Sequence, residues 1–365
     1  MRIANITAIP IKVPRERPFR TTFGVSQYSQ YGIVIVDTDE GIQGVGEISF
    51  IWSGNGHSMC HEIESIFKPL LVGENPFNLT RCIQILEKAY PWSRKIFAAI
   101  AALDMALHDI VGKALNTPVY NLLGGKVRDE VNLSVSIPID EPEVMAQTAL
   151  EYKDQGFKAV KVKVGIHLEK EIEAIGRIRK ACGDDFIIRV DANMGWKTSK
   201  EAIQAIRKME PYHIHSVEQP LPYDMTEETA YIRERVDVPI MIDESVWSIY
   251  DAINTVRHCA DYLNVYTSES GGLYRAMQIF HIAEAARRSC FIGSMPELGV
   301  GTAANLHLAV SVPQLGEPSD VCGYLYHQDD IIMEKFEFKD GKIRPFDQPG
   351  LGIHLDMDKI NKYKV

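Results

Sequence analysis

The sequence predicts an α/β protein, a parallel (β/α)7–8 barrel of the TIM type preceded by an α+β capping domain. Two observations predict this fold. From residue 131 onward, short apolar strands alternate with amphipathic helices, which is the pattern of repeated βα units in a parallel sheet. Six of these strands end in charged or polar residues spaced 23 to 31 residues apart, about the length of one strand, one helix and two short loops.

Residues 1–125 have a different pattern and predict the α+β capping domain. Residues 3–13 and 32–37 alternate as strands, and a turn at 39–41 joins the second strand to 42–47 as a hairpin. Helical periodicity follows, most clearly over 98–110, which is apolar enough to be buried on all sides. Antiparallel strands followed by helices indicate a separate α+β unit.

Residues 126–330 are assigned to the barrel domain, and residues 331–365 to a tail. The tail is extended and hairpin-like in pattern, so we expect it to pack on the capping domain and complete it. The expected barrel strands are 131–138, 158–164, 187–191, 214–218, 239–243, 262–266 and 290–294, with a weak one near 319–324.

The composition excludes several classes of partner. Of the 365 residues, 45% are hydrophobic and 24% charged, as in a soluble globular protein, and the net charge of −10 argues against nucleic acid or an anionic membrane. No run of 18 apolar residues occurs, and the N-terminal residues lack the apolar core of a signal peptide. The six cysteines form no CxxC pair, so we expect free thiols in a reducing cytoplasm.

Three consecutive predicted strands end in acids, Asp191, Glu218 and Asp243. The carboxyl ends of barrel strands face one site, and hard oxygen ligands suit Mg²⁺, which keeps positions for water or a substrate carboxylate. A single acid at a strand end could equally cap the next helix. Three acids in successive units favour a site for one Mg²⁺.

Lys161 and Lys163 lie two residues apart in a predicted strand, so both side chains point to the same face. Strands of a parallel barrel are covered on both faces, and inward lysines therefore require a reason. Two buried ammonium groups lower each other's pKa, which would make Lys163 a base near neutral pH. The alternative is a solvated edge strand in a lysine-rich stretch.

These motifs resemble the enolase superfamily, in its mandelate racemase/muconate lactonizing enzyme group. The resemblance covers nearly the whole chain and includes residues 270–272 (Ser-Gly-Gly) after the sixth strand. It implies that the three strand-end acids hold Mg²⁺ and that Lys163 removes the α-proton of a small carboxylate substrate. Lys161 would then tune this base or contact the substrate carboxylate. Asn193 and Glu244, beside the ligands, would support them.

The sixth strand departs from the family pattern, in which Leu-Lys-x-x-Lys-x-Gly-Gly is usual. Tyr266 stands at the usual base position here, and Glu269 replaces the later lysine. A racemase needs a base on each face of its enolate, and tyrosine, with a pKa near ~10, is a poor base and a fair acid. The sequence therefore favours a one-base β-elimination of water in which the hydroxyl leaves from the same face as the α-proton, protonated by the conjugate acid of Lys163 or helped by Tyr266. A merely packed aromatic at Tyr266 is the alternative.

Within the family, a replaced strand-six lysine resembles the cis-3-hydroxy-L-proline dehydratases, and this substrate is our hypothesis. A sugar-acid dehydratase is disfavoured because those relatives usually place a histidine late in the barrel, and strand seven here ends without one. Ser294 and Glu297 in this loop are candidates for substrate binding, with Glu297 aimed at the substrate nitrogen. A structural role is the alternative for Glu297.

The resemblance also implies two specificity loops in the capping domain, residues 19–28 and 50–57 by position. Both are aromatic and contain glycine, as mobile lids over a small substrate do. Phe23, Tyr28 and Trp52 are the expected substrate contacts. Ordinary hairpin loops with incidental aromatics are the alternative.

Two other functions stay open at this point. One is an epimerase or cycloisomerase, acting on amino-acid or proline derivatives, that uses Tyr266 or a water in place of the missing lysine. The other is a non-catalytic, metal-dependent binding protein, against which the retention of Lys161 and Lys163 with all three acids argues. The family resemblance also implies a homo-oligomer.

Overall fold

The computed structural model describes residues 1–50, 56–89 and 94–365. Its N-terminal part is an antiparallel sheet in the order β1-β2-β3, covered by helices. The strands are β1 (Ile3–Thr21), β2 (Gly24–Thr38) and β3 (Gln43–Ile48). The helices are α1 (Gly56–Glu62), α2 (Lys68–Leu71), α3 (Leu79–Ala89), α4 (Phe97–Ala114) and α5 (Val119–Leu122), with a π turn at Ile63–Phe67 and a 3-10 turn at Arg94–Ile96.

Helix α4 is buried along almost its whole length, as its apolar sequence predicts, and it packs closely on β3. Two glycines of β3 make this contact possible. A Cβ atom at Gly44 would overlap the backbone carbonyl of Ala106, and one at Gly46 would overlap that of Ala102. The missing side chains therefore bring the helix against the sheet and fix the capping domain as one layer of sheet under helix.

The second part is a parallel sheet of seven strands that are neighbours in chain order, which confirms the predicted α/β class. The strands are β5 (Ser134–Ile137), β6 (Ala159–Lys163), β7 (Ile187–Asp191), β8 (Ser216–Glu218), β9 (Ile240–Ile242), β10 (Tyr262–Val265) and β11 (Ser289–Ile292), preceded by the short β4 (Val131–Asn132). The helices are α6 (Pro142–Asp154), α7 (Leu168–Cys182), α8 (Ser199–Met209), α9 (Thr226–Arg233), α10 (Ile249–His258), α11 (Thr267–Ser270), α12 (Leu273–Ala285) and α13 (Gly299–Ser311), with 3-10 turns at Glu210–Tyr212 and Gly323–Tyr326.

An irregular segment, residues 315–320, occupies the eighth place around the barrel. Leu315 bridges Cys290 beside β11, and Ser319 bridges Leu133 beside β5. The Asp320 N–H donates to the Ile292 carbonyl at 2.9 Å. The expected weak strand near 319–324 therefore does not form as a regular strand, because the chain enters a 3-10 turn at residue 323. Seven strands and this closing segment give eight places around one apolar core.

The tail differs in part from its expected hairpin. Strand β12 (Lys342–Ile343) pairs with β4, and a helix, α14 (Met357–Tyr363), follows. The Asp356 side chain accepts a hydrogen bond from the Lys359 N–H at 3.1 Å and caps this helix. The tail touches both parts of the molecule, so the division into 1–125, 126–330 and 331–365 stays a prediction. Within the described ranges, no helix is long and apolar enough to cross a membrane.

Candidate active site

The three predicted metal ligands lie together at the carboxyl ends of β7, β8 and the loop after β9. Asp191 and Glu218 are neighbours in register, and Asp243 follows the end of β9. All three are buried, and one carboxylate oxygen from each lies within 4.8 Å of the others. Parallel strand register therefore places three hard oxygen ligands at the mouth of the barrel, as the sequence predicted.

The electrostatics of this cluster fit a divalent cation. Burial, together with repulsion from Glu244 and Glu218, raises the pKa of Asp243 well above its usual range. Burial and repulsion from Glu218 raise the pKa of Asp191 as well. Acids confined at this distance resist ionising together, and a cation such as Mg²⁺ between them would remove that repulsion. Asp191, Glu218 and Asp243 are therefore the residues that would hold the metal.

Lys161 and Lys163 both point into the barrel from β6, as predicted. The Lys163 ammonium contacts Asp191, its partner in strand register, and lies at the open end of the site. Lys161 lies deeper, with its Nζ 2.7 Å from Asp320 and 3.0 Å from Glu218. The expected mutual lowering of the pKa fails for Lys161. Burial lowers it, but the carboxylates of Asp320, Glu218 and Asp191 outweigh that effect and hold it above its ordinary value, so Lys161 is a permanent cation.

Arg189 and Asp320 complete this charged network. Neither was predicted from the sequence as a site residue. The Arg189 guanidinium is fully buried and donates to Asp320 at 2.9 Å and to Glu218 at 3.1 Å. Arg189 lies two residues before Asp191 on β7 and therefore on the same inward face, a signal that the sequence did contain. Asp320 lies in the weak strand expected near 319–324, but the segment is irregular, and its pattern assigned this acid no role.

Asn193 and Glu244 lie beside the ligands, as expected. The Asn193 N–H donates to Asp191 at 2.8 Å, and its side-chain amide donates to Glu244 at 3.2 Å. Burial and the charge of Asp191 raise the pKa of Glu244 to about 8. Asn193 and Gln219 both have positive φ angles, 39° and 35°, in the loops that carry the ligands. Such conformations are costly and are retained where surrounding contacts hold a functional loop in shape.

Tyr266 lies across the barrel from the two lysines. Its strand, β10, and the lysine strand, β6, are four places apart in either direction around the eight places of the barrel. The Tyr266 hydroxyl donates a hydrogen bond to Asp243 at 2.9 Å, and this hydroxyl accepts one from the Asn264 side-chain amide at 3.3 Å. Burial and the charges of Asp243 and Glu218 raise the pKa of Tyr266 well above its usual range. Tyr266 is therefore a hydrogen-bond donor in this site and not a base.

Glu269 is a second residue on this wall that faces the site. It follows β10 within the short helix α11, is 3% exposed, and lines the same cavity as Lys163 and Tyr266. Burial and repulsion from Glu244 raise the pKa of its carboxyl well above the usual range. From the sequence alone, Glu269 stands out only as the replacement of a lysine that is usual in the family, and no role was expected for it.

These groups line one partly open cavity, here called the site cavity. Ser294 lines it, as predicted. Glu297 instead accepts hydrogen bonds from the Ser294 hydroxyl at 2.5 Å and the Met295 N–H at 3.0 Å, which directs its carboxylate into its own loop. This placement resembles the structural alternative for Glu297, and its predicted contact with substrate nitrogen stays a prediction.

The capping domain contributes Phe19 to the site cavity, where it meets Tyr326 edge to face with ring centroids 5.6 Å apart. The predicted contacts Phe23 and Tyr28 lie in the same hairpin but are about half exposed, and neither belongs to the cavity lining. Trp52 lies outside the described residues. The hairpin is nevertheless joined to the site, because the Thr22 hydroxyl donates to the Asn193 carbonyl at 2.7 Å.

Comparisons with known families cover most of the chain. Residues 4–124 match the model described as mandelate racemase / muconate lactonizing enzyme, N-terminal domain. Residues 144–359 match the model described as enolase C-terminal domain-like.

Individual relatives are similar over the whole length. The chain is 33% identical to an N-succinyl-L-Arg/Lys racemase of Bacillus cereus, covering 100% of this chain and 98% of the relative. It superimposes with a TM-score of 0.90 and 31% identity on a dipeptide epimerase of Enterococcus faecalis complexed with Mg and L-Leu-L-Tyr, covering 97% of this chain and 99% of the other. The muconate lactonizing enzyme of Pseudomonas fluorescens, complexed with muconolactone, gives a TM-score of 0.95 at 27% identity, with 100% and 99% covered.

Proposed function

Since this chain belongs to the mandelate racemase/muconate lactonizing enzyme group of the enolase superfamily, we propose that it is a magnesium-dependent dehydratase. Its substrate would be a small β-hydroxy amino or imino acid, and cis-3-hydroxy-L-proline is the best candidate. The relatives are racemases, epimerases and cycloisomerases, and one of them binds Mg in its solved complex. The premise is an enzyme of this superfamily, and this chain brings three acids together where a metal could bind. Water loss is the proposed reaction.

The observation that carries the proposal is the asymmetry of the two walls. Lys163 stands on one wall of the site cavity, and the opposite wall presents Tyr266 and Glu269, both with raised pKa values. The raised pKa values favour the protonated forms of both groups, which donate protons or hydrogen bonds and do not accept a proton from carbon. One base facing proton donors is the arrangement that an elimination requires.

The residues would divide the reaction as follows. The bound metal would supply Lewis-acid stabilisation of the negative charge that develops on the substrate carboxylate. Lys163, as the neutral amine, would take the α-proton, and the buried cation of Lys161 would stabilise the same developing charge from below. Phe19 and Tyr326 add aromatic surface to the cavity wall, which would lower the local dielectric around these electrostatic interactions. The β-hydroxyl would then leave as water.

An epimerase or cycloisomerase is the second candidate, because the relatives named above have such activities. An epimerase would need a group on the strand-six wall to return a proton to the opposite face of the α-carbon. Glu269, if ionised, is placed for that role. The two candidates differ in whether water is lost.

The distinguishing experiment is an incubation of the purified protein with Mg²⁺ in D₂O. The panel contains the stereoisomers of 3- and 4-hydroxyproline, dipeptides and N-succinyl amino acids, with NMR as readout. We expect the cyclic imine from a 3-hydroxyproline, with loss of water. Stereoinversion or α-deuteration of dipeptides or N-succinyl amino acids, without water loss from any hydroxyproline, would favour the epimerase and reject the dehydratase.

We propose the cytoplasm as the compartment, because all six cysteines are free and buried. The homo-oligomer stays a prediction from the family resemblance.

A further inference from the structure

Glu269 is a buried acid on the donor wall of the site cavity, and no particular proton transfer has been assigned to it so far. It follows the strand that lies diametrically across the barrel from Lys163, yet both side chains line one cavity. Glu269 is 3% exposed and belongs to the lining of the site cavity. A buried carboxyl group in the wall of a cavity is placed to contact a ligand there.

We propose that Glu269 is the general acid that protonates the leaving β-hydroxyl group. This inference rests on the proposed dehydration and adds a second catalytic residue to it. Three groups could deliver that proton: Lys163 after it has taken the α-proton, Tyr266, and Glu269. Geometry separates them.

The Tyr266 hydroxyl is already committed, because it donates its hydrogen to Asp243 at 2.9 Å. Lys163 lies on the wall from which the α-proton is removed, so it can serve only a leaving group on that same face of the substrate. Glu269 faces the other side of the cavity. Burial and the charge of Glu244 raise its pKa, which favours the protonated form that a donor must have.

The step balances without any further reactant. The neutral Lys163 amine takes the α-proton, the electrons of the Cα–H bond form the Cα–Cβ double bond, and the Cβ–O bond breaks. The leaving oxygen takes the Glu269 proton and departs as water. The enamine product becomes the imine by gaining a proton at Cβ and losing one from nitrogen. Lys163 then releases its proton, and Glu269 regains one from solvent.

Base and acid on opposite walls predict an anti elimination. In 3-hydroxyproline, the cis isomer carries its hydroxyl on the same ring face as the carboxylate, and therefore on the face opposite the α-hydrogen. The trans isomer carries its hydroxyl and its α-hydrogen on the same ring face. The placement of Lys163 and Glu269 thus selects the cis isomer by geometry, and this selection does not depend on how the ring is contacted elsewhere.

The test compares the E269Q variant with wild type on two leaving groups. Hydroxide needs protonation to leave, whereas chloride does not. We expect E269Q to lower the dehydration rate of cis-3-hydroxy-L-proline about 10²- to 10⁴-fold. We expect chloride release from cis-3-chloro-L-proline to stay near the wild-type rate. The matched control is E284Q, at an exposed position on α12, which should behave as wild type on both substrates.

The outcomes separate the two proposals. Equal losses of dehydration and chloride release in E269Q would show a structural role and overturn the acid assignment. A dehydration rate in E269Q equal to that of wild type would also overturn the acid assignment, as would faster reaction of the trans isomer. Either result would leave the proposed dehydratase function intact. If wild type releases water from no 3-hydroxyproline isomer, the proposed function fails and the acid role fails with it.

Discussion

Lys163 is the single side chain on which the proposed chemistry depends most. It reaches the site cavity from the end of β6 and contacts Asp191, so it lies at the edge of the metal ligands where the α-carbon of a bound carboxylate would be. We expect K163A to lower α-proton exchange and product formation at least about 10²-fold, because a positioned proton acceptor contributes that much. Deuterium incorporation into substrate, followed by NMR, measures the effect.

The same strand offers the control. Lys158 directly precedes β6, is exposed, and takes no part in the site cavity, so K158A should retain wild-type exchange. Both variants should fold, as judged by circular dichroism. Retained exchange in K163A would remove Lys163 from the mechanism, whereas no exchange in wild type would support the non-catalytic binding protein.

Whether a residue could be predicted depended on whether it stood in a regular strand. Asp191 and Glu218 end consecutive strands, and the alternation of a strand fixes which way their side chains point. Asp320 pairs with Lys161 but lies in an irregular segment, where the weak strand pattern near 319–324 did not fix the direction of its side chain. Glu269 lies in a four-residue helix, where its direction depends on the tertiary packing of that turn. In irregular backbone, local sequence does not determine which way a side chain points.

At the scale of elements, the joint between β3 and α13 is built around one buried acid. Glu47 of β3 accepts hydrogen bonds from the backbone N–H groups of Leu298 and Gly301, both at 2.8 Å, at the start of α13. Burial nevertheless outweighs these bonds and raises the pKa of Glu47 to about 8. Glu47 binds its proton more tightly in the folded protein than in the unfolded chain. The stability of the contact between β3 and α13 therefore depends on pH.

The sign of that sensitivity follows from linkage. The unfolded pKa is near 4.5, so between about pH 4.5 and 8 the folded state binds more protons at Glu47, and folding stability falls as the pH rises through this window. Glutamine does not titrate. In wild type and in the exposed control E284Q, we expect the urea midpoint of unfolding to fall between pH 5 and pH 8. In E47Q this decrease should be smaller. Parallel losses in all three proteins would contradict this origin.

Element boundaries followed the sequence where turn chemistry and periodicity agreed. Helix α8 begins at residue 199 because the Thr198 side chain caps it, and buried residues recur along one face to residue 209. The closing segment and the tail did not follow expectation. Their conformations depend on contacts with β11, β5 and β4, which are distant in the chain. Long-range pairing of this kind overrides local propensity.

At the scale of the whole molecule, the site cavity lies where the N-terminal hairpin meets the barrel. The sequence indicated that this hairpin would face the site, and Phe19 does line the cavity. It did not indicate which aromatic would enter, and Phe23 and Tyr28 are half exposed instead. The choice depends on the register of β1 with β2, which shifts between Pro14 and Phe19 and so changes which side chains face inward.

The same assembly predicts how a metal would affect stability. Asp191, Glu218 and Asp243 come from three successive strand ends, so an ion held by all three would bind the folded barrel and not the unfolded chain. At a free Mg²⁺ concentration about 100 times the Kd, such binding stabilises the fold by about 2.7 kcal/mol. We expect urea unfolding of the metal-free protein to shift by this amount when Mg²⁺ is added.

D243N should abolish that shift, because an amide is a weaker ligand and carries no charge to balance the cation. It should also raise stability in the absence of metal, since the substitution relieves the repulsion that raises the pKa of Asp243. The exposed control D237N should keep the full Mg²⁺ response. Opposite effects of one substitution with and without metal would identify a site whose acids are held together for an ion; an unchanged Mg²⁺ response in D243N would exclude Asp243 as a ligand.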